Sequence, residues 1–134
     1  EQAYASAGVH AEVRTLNDDM AGAYAWADLA VCRAGALTVA ELAEAGLGSV
    51  LIPFPAAVDD HQTRNAAHLE LAGAARLIQE RDLTPESLAA ILEPLLADAE
   101  TRRTMAIAAR SVAHPEALDD IVQACLGKAG RMRQ

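Results

Sequence analysis

The turn at residues 33–38 has the residue types best suited to binding a phosphate group. It leads from a short apolar run directly into a predicted helix, and Gly35 permits close approach to the backbone and unusual φ values. Free N–H groups and the dipole at a helix start can hold an anion, and the Thr38 hydroxyl can add a hydrogen bond. Glu41, one turn further along the helix, could accept hydrogen bonds from ribose hydroxyls. The alternative is an ordinary tight turn in which Thr38 and Glu41 form part of a capping box.

A second candidate site lies in the long loop after the apolar run at residues 49–52. Long loops at the carboxyl ends of strands often bind ligands. His61 and Gln62 would begin the next helix, where their side chains can point toward a bound sugar. A metal site at Asp59, Asp60 and His61 is conceivable, but consecutive residues rarely converge on one cation. The alternative for the two acids is helix capping.

The order of elements predicts an α/β fold. We predict strands at residues 11–16, 28–32, 49–52 and 75–78. Predicted helices run from Asp18 or Asp19 to Trp26 and over residues 38–45, 61–71, 84–97, 99–113 and 115–129, after a helix tail at residues 2–6. This alternation indicates a Rossmann-like parallel sheet with right-handed crossovers, followed by a C-terminal helical cluster. Because a complete doubly wound domain begins with a strand and a phosphate-binding turn, we expect its first units to be missing.

Composition argues against several functional classes. The formal charge of −8 lacks the surplus of Lys and Arg that nucleic-acid binding requires, and no apolar run reaches the length of a membrane span. Cys32 and Cys125 match no metal or redox spacing, which indicates a reduced, intracellular protein. The sequence has no nucleophile elbow and no Walker loop. From the residues alone, we interpret the chain as an α/β domain that binds a phosphorylated ligand.

Taken together, these two turns and the turn after residues 11–16 resemble the C-terminal part of the MurG family of GT-B glycosyltransferases. The most specific blocks are Arg-x-Gly-Ala-Leu-Thr at residues 33–38 and Asp-Asp-His-Gln at residues 59–62. Further matching blocks lie at residues 18–20, 24, 27–28, 53–55 and 71–75. The resemblance covers nearly the whole chain. It implies that residues 1–134 are a partial UDP-GlcNAc-binding domain, without the acceptor domain and the first strands of the donor domain.

The resemblance also implies an activity. In that family, GlcNAc passes from UDP-GlcNAc to undecaprenyl-diphospho-MurNAc-pentapeptide, which converts lipid I to lipid II in peptidoglycan synthesis. It implies a peripheral enzyme at the cytoplasmic face of the bacterial inner membrane, with no cofactor and no metal. Lipid I, the membrane and the catalytic base would belong to the missing part, so the segment alone should be inactive. The alternatives are another GT-B enzyme for UDP-sugars, a UDP-GlcNAc epimerase-like domain, or a non-catalytic nucleotide-binding module.

The resemblance assigns a donor-binding role to three groups of residues. The backbone at Asn17 would meet uracil, with Met20 nearby, and His61 and Gln62 would meet the GlcNAc hydroxyls. The remaining residues form one segment that faces the diphosphate at its start and the ribose at its end: Ala36, Leu37, Thr38, Val39, Ala40 and Glu41. Two features depart from the family pattern, namely Leu16-Asn17 in place of a more apolar or aromatic pair, and His61 where some members have a glutamine.

Overall fold

The computed structural model describes residues 2–56 and 58–131. In chain order it contains α1 (Gln2–Ser6), α2 (Met20–Trp26), β1 (Ala30–Cys32), α3 (Ala36–Ala45), β2 (Ser49–Leu51), α4 (His61–Leu71), β3 (Ala75–Leu77), α5 (Pro85–Ala97), α6 (Ala99–Ser111) and α7 (Ala117–Arg131). Short 3-10 turns at Val58–Asp60 and Glu80–Asp82 follow β2 and β3. The predicted helices and three of the predicted strands are therefore confirmed, with bounds that shift by a few residues.

The three strands form one parallel sheet in the order β1-β2-β3. Ala30 pairs with Ser49 in the first ladder, and Ser49 pairs with Ala75 in the second. Since parallel strands start at one edge and end at the other, the turns after β1, β2 and β3 all lie along the same edge. This confirms the α/β class. It also places the two candidate turns, after β1 and after β2, next to each other at the carboxyl ends of their strands.

The central strand β2 is buried on both faces of the sheet. Val50 and Leu51 are both 0% exposed, but they belong to separate apolar clusters because successive side chains point to opposite faces. Leu51 packs in a cluster with α3 and α4, whereas Val50 packs in one with α5 and α6. Two-sided burial explains why this strand reads as an uninterrupted apolar run. It also gives the turns at its end a rigid base.

Local capping fixes where the helices begin and end. The Asp19 carboxylate accepts the Gly22 N–H at 2.8 Å and caps α2, at one of the two positions predicted for the start of this helix. At the start of α5, the Thr84 hydroxyl accepts the Ser87 N–H at 3.1 Å, and the Ser87 hydroxyl accepts the Thr84 N–H at 2.8 Å. Gly46 ends α3 with φ 67°, a conformation that favours glycine.

The strand prediction for residues 11–16 is wrong. Apart from half-buried Ala11, these residues are exposed, and the structure gives them no strand conformation. Their alternating polarity suits a strand, but a strand also needs a neighbour to accept and donate its backbone hydrogen bonds. None of the three described strands pairs with this segment.

Among the described residues, no helix has the length and apolar character needed to cross a membrane.

Candidate functional site

The start of α3 presents the N–H groups that the sequence predicts for phosphate binding. Its first helical hydrogen bond runs from the Val39 N–H to the Gly35 carbonyl at 2.9 Å. The N–H groups of Ala36, Leu37 and Thr38 therefore have no acceptor within the helix. Gly35 is the N-cap and has no side chain with which to cap them. This turn can accept an anion, and the capping box proposed for Thr38 is wrong, because Thr38 is the third helical residue and not the cap.

The structure gives no internal reason for a glycine at position 35. Its φ is −62°, which any residue adopts. An added Cβ would meet only the Thr38 hydroxyl, at an ordinary contact distance of 3.6 Å. The unusual φ values that glycine permits are therefore not used at Gly35. An N-cap side chain normally lies against the N–H groups of the second and third helical residues, so a glycine leaves those groups open to a ligand.

Two residues of the predicted binding segment offer less to a ligand than their neighbours. Val39 is only 9% exposed and packs in the core with Leu42, while its N–H bonds to Gly35. Neither the Val39 side chain nor its N–H is open to solvent, and its expected contact with the donor stays a prediction. Ala40 is exposed but lies in the second helical turn, where its N–H is used within the helix.

The Glu41 carboxylate is held by a residue from another helix. The Tyr24 hydroxyl on α2 donates a hydrogen bond to Glu41 Oε2 at 3.0 Å. Burial and this hydrogen bond to the carboxylate raise the pKa of Tyr24 to about 12. A carboxylate accepts more than one hydrogen bond, so Glu41 keeps acceptor capacity for a ligand. The contact fixes Glu41 one turn beyond the open N–H groups of α3.

Asn17 and Met20 lie together at the start of α2. The Asn17 amide oxygen accepts the Asp19 N–H at 3.3 Å, and its amide nitrogen lies 3.6 Å from the Met20 sulfur. Met20 is 43% exposed. Asn17 also lines a surface cleft of about 740 Å³, together with Trp26 and His10. The Asn17 side chain therefore shapes this turn, as expected if the backbone and not the side chain contacts the ligand.

The loop after β2 is attached to the start of α4 through Gln62. Gln62 Oε1 accepts the Phe54 N–H at 2.9 Å, which leaves the amide Nε2 to donate elsewhere. His61 is exposed and is the first residue of α4. Asn65, one turn further along α4, donates from Nδ2 to the Ala34 carbonyl at 3.1 Å. The turn after β1 is thus joined to α4 by a direct hydrogen bond.

Arg33 also spans the edge of the sheet. Its NH1 group donates to the carbonyls of Ile52 at 3.4 Å and Pro53 at 3.3 Å. The same group forms an ion pair with Glu80 Oε2, and the guanidinium lies 5.5 Å from the centre of the Phe54 ring. One side chain therefore contacts the segments that follow β2 and β3.

Asp59 and Asp60 adopt left-handed backbone conformations, with φ 54° and 52°. Asp60 is the N-cap of α4, but its carboxylate accepts the Thr63 hydroxyl at 2.6 Å and no backbone N–H. Arg64 donates to the Asp59 carbonyl. No group of three His, Cys, Asp or Glu residues in the described part of the chain could hold a metal ion. The two acids therefore serve the local geometry of the helix start.

Comparison with known proteins identifies the family that this architecture represents. The model of the glycosyltransferase family 28 C-terminal domain matches residues 1–121. The chain belongs to glycosyltransferase family 28. The matched residues of this family 28 domain include the parallel sheet and the strand-to-helix turns described above.

Curated relatives of this family 28 chain share a single long name. It is 55% identical over 129 residues to the UDP-N-acetylglucosamine--N-acetylmuramyl-(pentapeptide) pyrophosphoryl-undecaprenol N-acetylglucosamine transferase of Marinobacter nauticus, covering 96% of this chain and 36% of that protein. It is 57% identical over 130 residues to the protein of the same name from Xanthomonas axonopodis pv. citri, covering 97% of this chain and 30% of that protein. The chain thus spans about a third of the length of these relatives.

A solved structure supports the same assignment. The crystal structure of Acinetobacter baumannii MurG superimposes with a TM-score of 0.84 at 44% sequence identity, covering 91% of this chain and 36% of that one. The predicted resemblance to the MurG family is therefore confirmed, and so is the fold of a GT-B C-terminal domain.

Several residues that shape the site of this family 28 domain are absent from the sequence-based site prediction. Tyr24 bonds to Glu41, and Asn65 bonds to Ala34. Arg33 contacts Phe54 and Glu80, and the Phe54 N–H bonds to Gln62. Some of them fall within motif blocks, but no local spacing indicates what they touch. Arg33 and Glu80, for example, lie 47 residues apart in the chain.

Proposed function

We propose that this domain binds the UDP-GlcNAc donor for the transfer of GlcNAc to undecaprenyl-diphospho-MurNAc-pentapeptide, the step from lipid I to lipid II. The observation that carries the proposal is the open start of α3, with Glu41 held one turn beyond it by Tyr24. A diphosphate beside a ribose requires anion-binding N–H groups next to an acceptor for hydroxyl groups. The printed name shared by the relatives supports this choice of donor and acceptor.

The diphosphate would lie against the N–H groups of Ala36, Leu37 and Thr38. Gly35 leaves space there, and the Thr38 hydroxyl adds a donor. Helix N–H groups bring a partial positive charge to the phosphates, so the proposal requires no divalent cation. The proposal also requires no cofactor.

The uridine would extend from the diphosphate toward α2. Glu41 would accept hydrogen bonds from the ribose hydroxyls, because its carboxylate is already oriented by Tyr24. The backbone at Asn17 would meet uracil, with the exposed Met20 side chain nearby. The Asn17 side chain would support this turn through its hydrogen bond from Asp19.

The GlcNAc group would meet the start of α4. Because Gln62 Oε1 is occupied by the Phe54 N–H, the Gln62 amide would act toward the sugar as a donor through Nε2. His61 is exposed beside it at the first position of the helix. This arrangement would direct a donor group at the hydroxyl oxygens of the sugar.

The rest of the activity would depend on the remainder of a longer polypeptide. The relatives are about three times as long as this chain, so we place lipid I binding and the catalytic base in the part that they have in addition. That part would also carry peripheral contact with the cytoplasmic face of the bacterial membrane. β1 is an outer strand of the described sheet, so a further strand from that part could pair with it.

The test compares two substitutions in the full-length enzyme. We expect Glu41→Ala to weaken UDP binding by roughly 1.5–3 kcal/mol, the range for a hydrogen bond to a charged group. Gln62→Ala should leave UDP affinity nearly unchanged and reduce discrimination between UDP-GlcNAc and UDP-GalNAc, because UDP carries no sugar. Titration calorimetry measures the first quantity and donor kinetics the second.

Matched controls keep this test decisive. Glu44→Ala removes an exposed carboxylate from the same helix as Glu41 and should leave UDP affinity unchanged. Unchanged UDP affinity in a folded Glu41→Ala variant would reject the ribose assignment. A wild-type preference for a different UDP-sugar would favour the alternative, another GT-B enzyme.

A further inference from the structure

We propose that Arg33 and Glu80 are positioning residues for donor-sugar recognition, because together they hold the loop that orients Gln62. This inference rests on the proposed function, in which the Gln62 amide meets the sugar. We call the pair the edge clamp, since Arg33 follows β1 and Glu80 follows β3 at the carboxyl edge of the sheet. Neither residue is assigned a contact with the donor itself.

The loop at residues 53–55 has few backbone N–H groups with which to form hydrogen bonds. Pro53 and Pro55 have no N–H group, so Phe54 provides the only backbone donor of the three. That N–H is bonded to Gln62 Oε1 at 2.9 Å. The loop must therefore be fixed through its carbonyls and its one large side chain, which are the groups that Arg33 contacts.

Arg33 and Gln62 hold the same residue from different sides. Arg33 donates to the carbonyl of Pro53, directly before Phe54, and its guanidinium lies over the Phe54 ring at 5.5 Å. Gln62 accepts the N–H of Phe54. If Arg33 no longer held this loop, Phe54 could move, and Gln62 Oε1 would lose its hydrogen bond from the Phe54 N–H. The direction of Gln62 Nε2 toward the sugar therefore depends on Arg33.

Glu80 keeps Arg33 directed at this loop. Arg33 is near the proposed diphosphate turn, and an unpaired guanidinium there could turn toward the phosphates. The ion pair with Glu80, at 2.5 Å, instead holds it across the ends of β2 and β3. Both side chains remain partly exposed, at 48% and 38%, so the pair adds little to the stability of the fold. We therefore expect the ion pair to affect the geometry of the loop at residues 53–55.

The experiment measures UDP affinity and donor selectivity of the full-length enzyme carrying Glu80→Ala or Arg33→Lys. We expect each variant to lower the UDP-GlcNAc over UDP-GalNAc ratio of kcat/KM by at least about tenfold, since a misplacement of 1 Å can cost roughly 100-fold. UDP affinity should stay within about twofold of wild type. Glu80→Gln, which keeps an oxygen acceptor for Arg33, should recover part of the selectivity.

The matched control is Asp82→Ala. Asp82 lies in the same 3-10 turn as Glu80, and its ion pair among the described residues is with exposed Arg81, so its removal should leave selectivity unchanged. Combining Glu80→Ala with Gln62→Ala should give no further loss of selectivity beyond Gln62→Ala alone, because both changes act on one contact. Circular dichroism and Tm confirm that each variant is folded.

The possible failures are distinguishable. Full selectivity in a folded Glu80→Ala variant, with selectivity lost in Gln62→Ala, would overturn the edge clamp alone. Full selectivity in Gln62→Ala would overturn both the sugar assignment and the clamp. Loss of UDP affinity in Arg33→Lys but not in Glu80→Ala would make Arg33 a phosphate ligand and also overturn the proposal.

Discussion

Removal of a single oxygen atom tests the proposed recognition of ribose by Glu41. Tyr24→Phe deletes the hydroxyl that donates to Glu41 Oε2 at 3.0 Å and leaves the ring in place. Without that bond, the Glu41 carboxylate must be ordered when the ligand binds, at about 0.5–1.5 kcal/mol for one flexible side chain. We therefore expect UDP affinity to fall roughly two- to tenfold.

The assay compares UDP with 2′-deoxy-UDP by titration calorimetry. Wild-type protein should prefer UDP, because Glu41 is proposed to accept a hydrogen bond from a ribose hydroxyl. Tyr24→Phe should reduce that preference, since the affinity for UDP falls more than the affinity for the deoxy compound. If the ratio of the two affinities is the same in both proteins, Tyr24 does not orient Glu41 for the ribose. Equal affinity of wild type for both ligands would instead reject the role of the 2′-hydroxyl.

The same hydrogen bond predicts a pH dependence. The pKa of Tyr24 is raised from its ordinary value of 10.0 to about 12 in the folded domain. Its contribution to stability is therefore complete below pH 10 and is lost as the pH rises from about 10 through 12. Denaturant titrations across this range should show a decline in stability that Tyr24→Phe lacks. An identical decline in both proteins would contradict the assigned hydrogen bond.

Two further predictions concern helix starts. Gly35→Ser supplies a good N-cap side chain, so stability to denaturant should hold or rise. UDP affinity should fall about 10- to 100-fold, because the serine hydroxyl would bond to the N–H groups proposed to bind the diphosphate. Unaltered UDP affinity would argue against phosphate binding there. Thr84→Ala removes the α5 cap and should cost about 1 kcal/mol in chemical denaturation, whereas exposed Thr104→Ala in the middle of α6 should cost nothing. Equal losses would show that capping is not the cause.

Local sequence patterns predicted those parts of the site that depend on one turn. The segment from Cys32 to Glu41 joins an apolar run to a helical pattern through a glycine, and the structure has an open helix start there. The helix starts at Asp19 and Thr84 are predictable for the same reason, since the groups that cap them lie within three residues. Such features need no knowledge of distant contacts.

Features that require a distant partner could not be predicted in this way. Alternating polarity at residues 11–16 resembles a strand, yet strand formation depends on a neighbour that local pattern does not specify. Val39 falls within a plausible binding segment, but helical geometry and packing against Leu42 turn its side chain into the core. The Tyr24 to Glu41 hydrogen bond joins residues 17 apart. In each case the deciding partner comes from another element.

The turn after β1 links the two halves of the proposed donor site. A diphosphate and its sugar are joined covalently, so a protein that binds both must fix the distance between the two loops that meet them. Arg33 donates to the loop after β2, and the Ala34 carbonyl accepts the Asn65 amide from α4. The next residue, Gly35, begins the helix proposed to hold the diphosphate. Three consecutive residues at the end of β1 thus position both the loop proposed to meet the sugar and the turn proposed to meet the diphosphate. Direct hydrogen bonds join these segments and fix the distance between them.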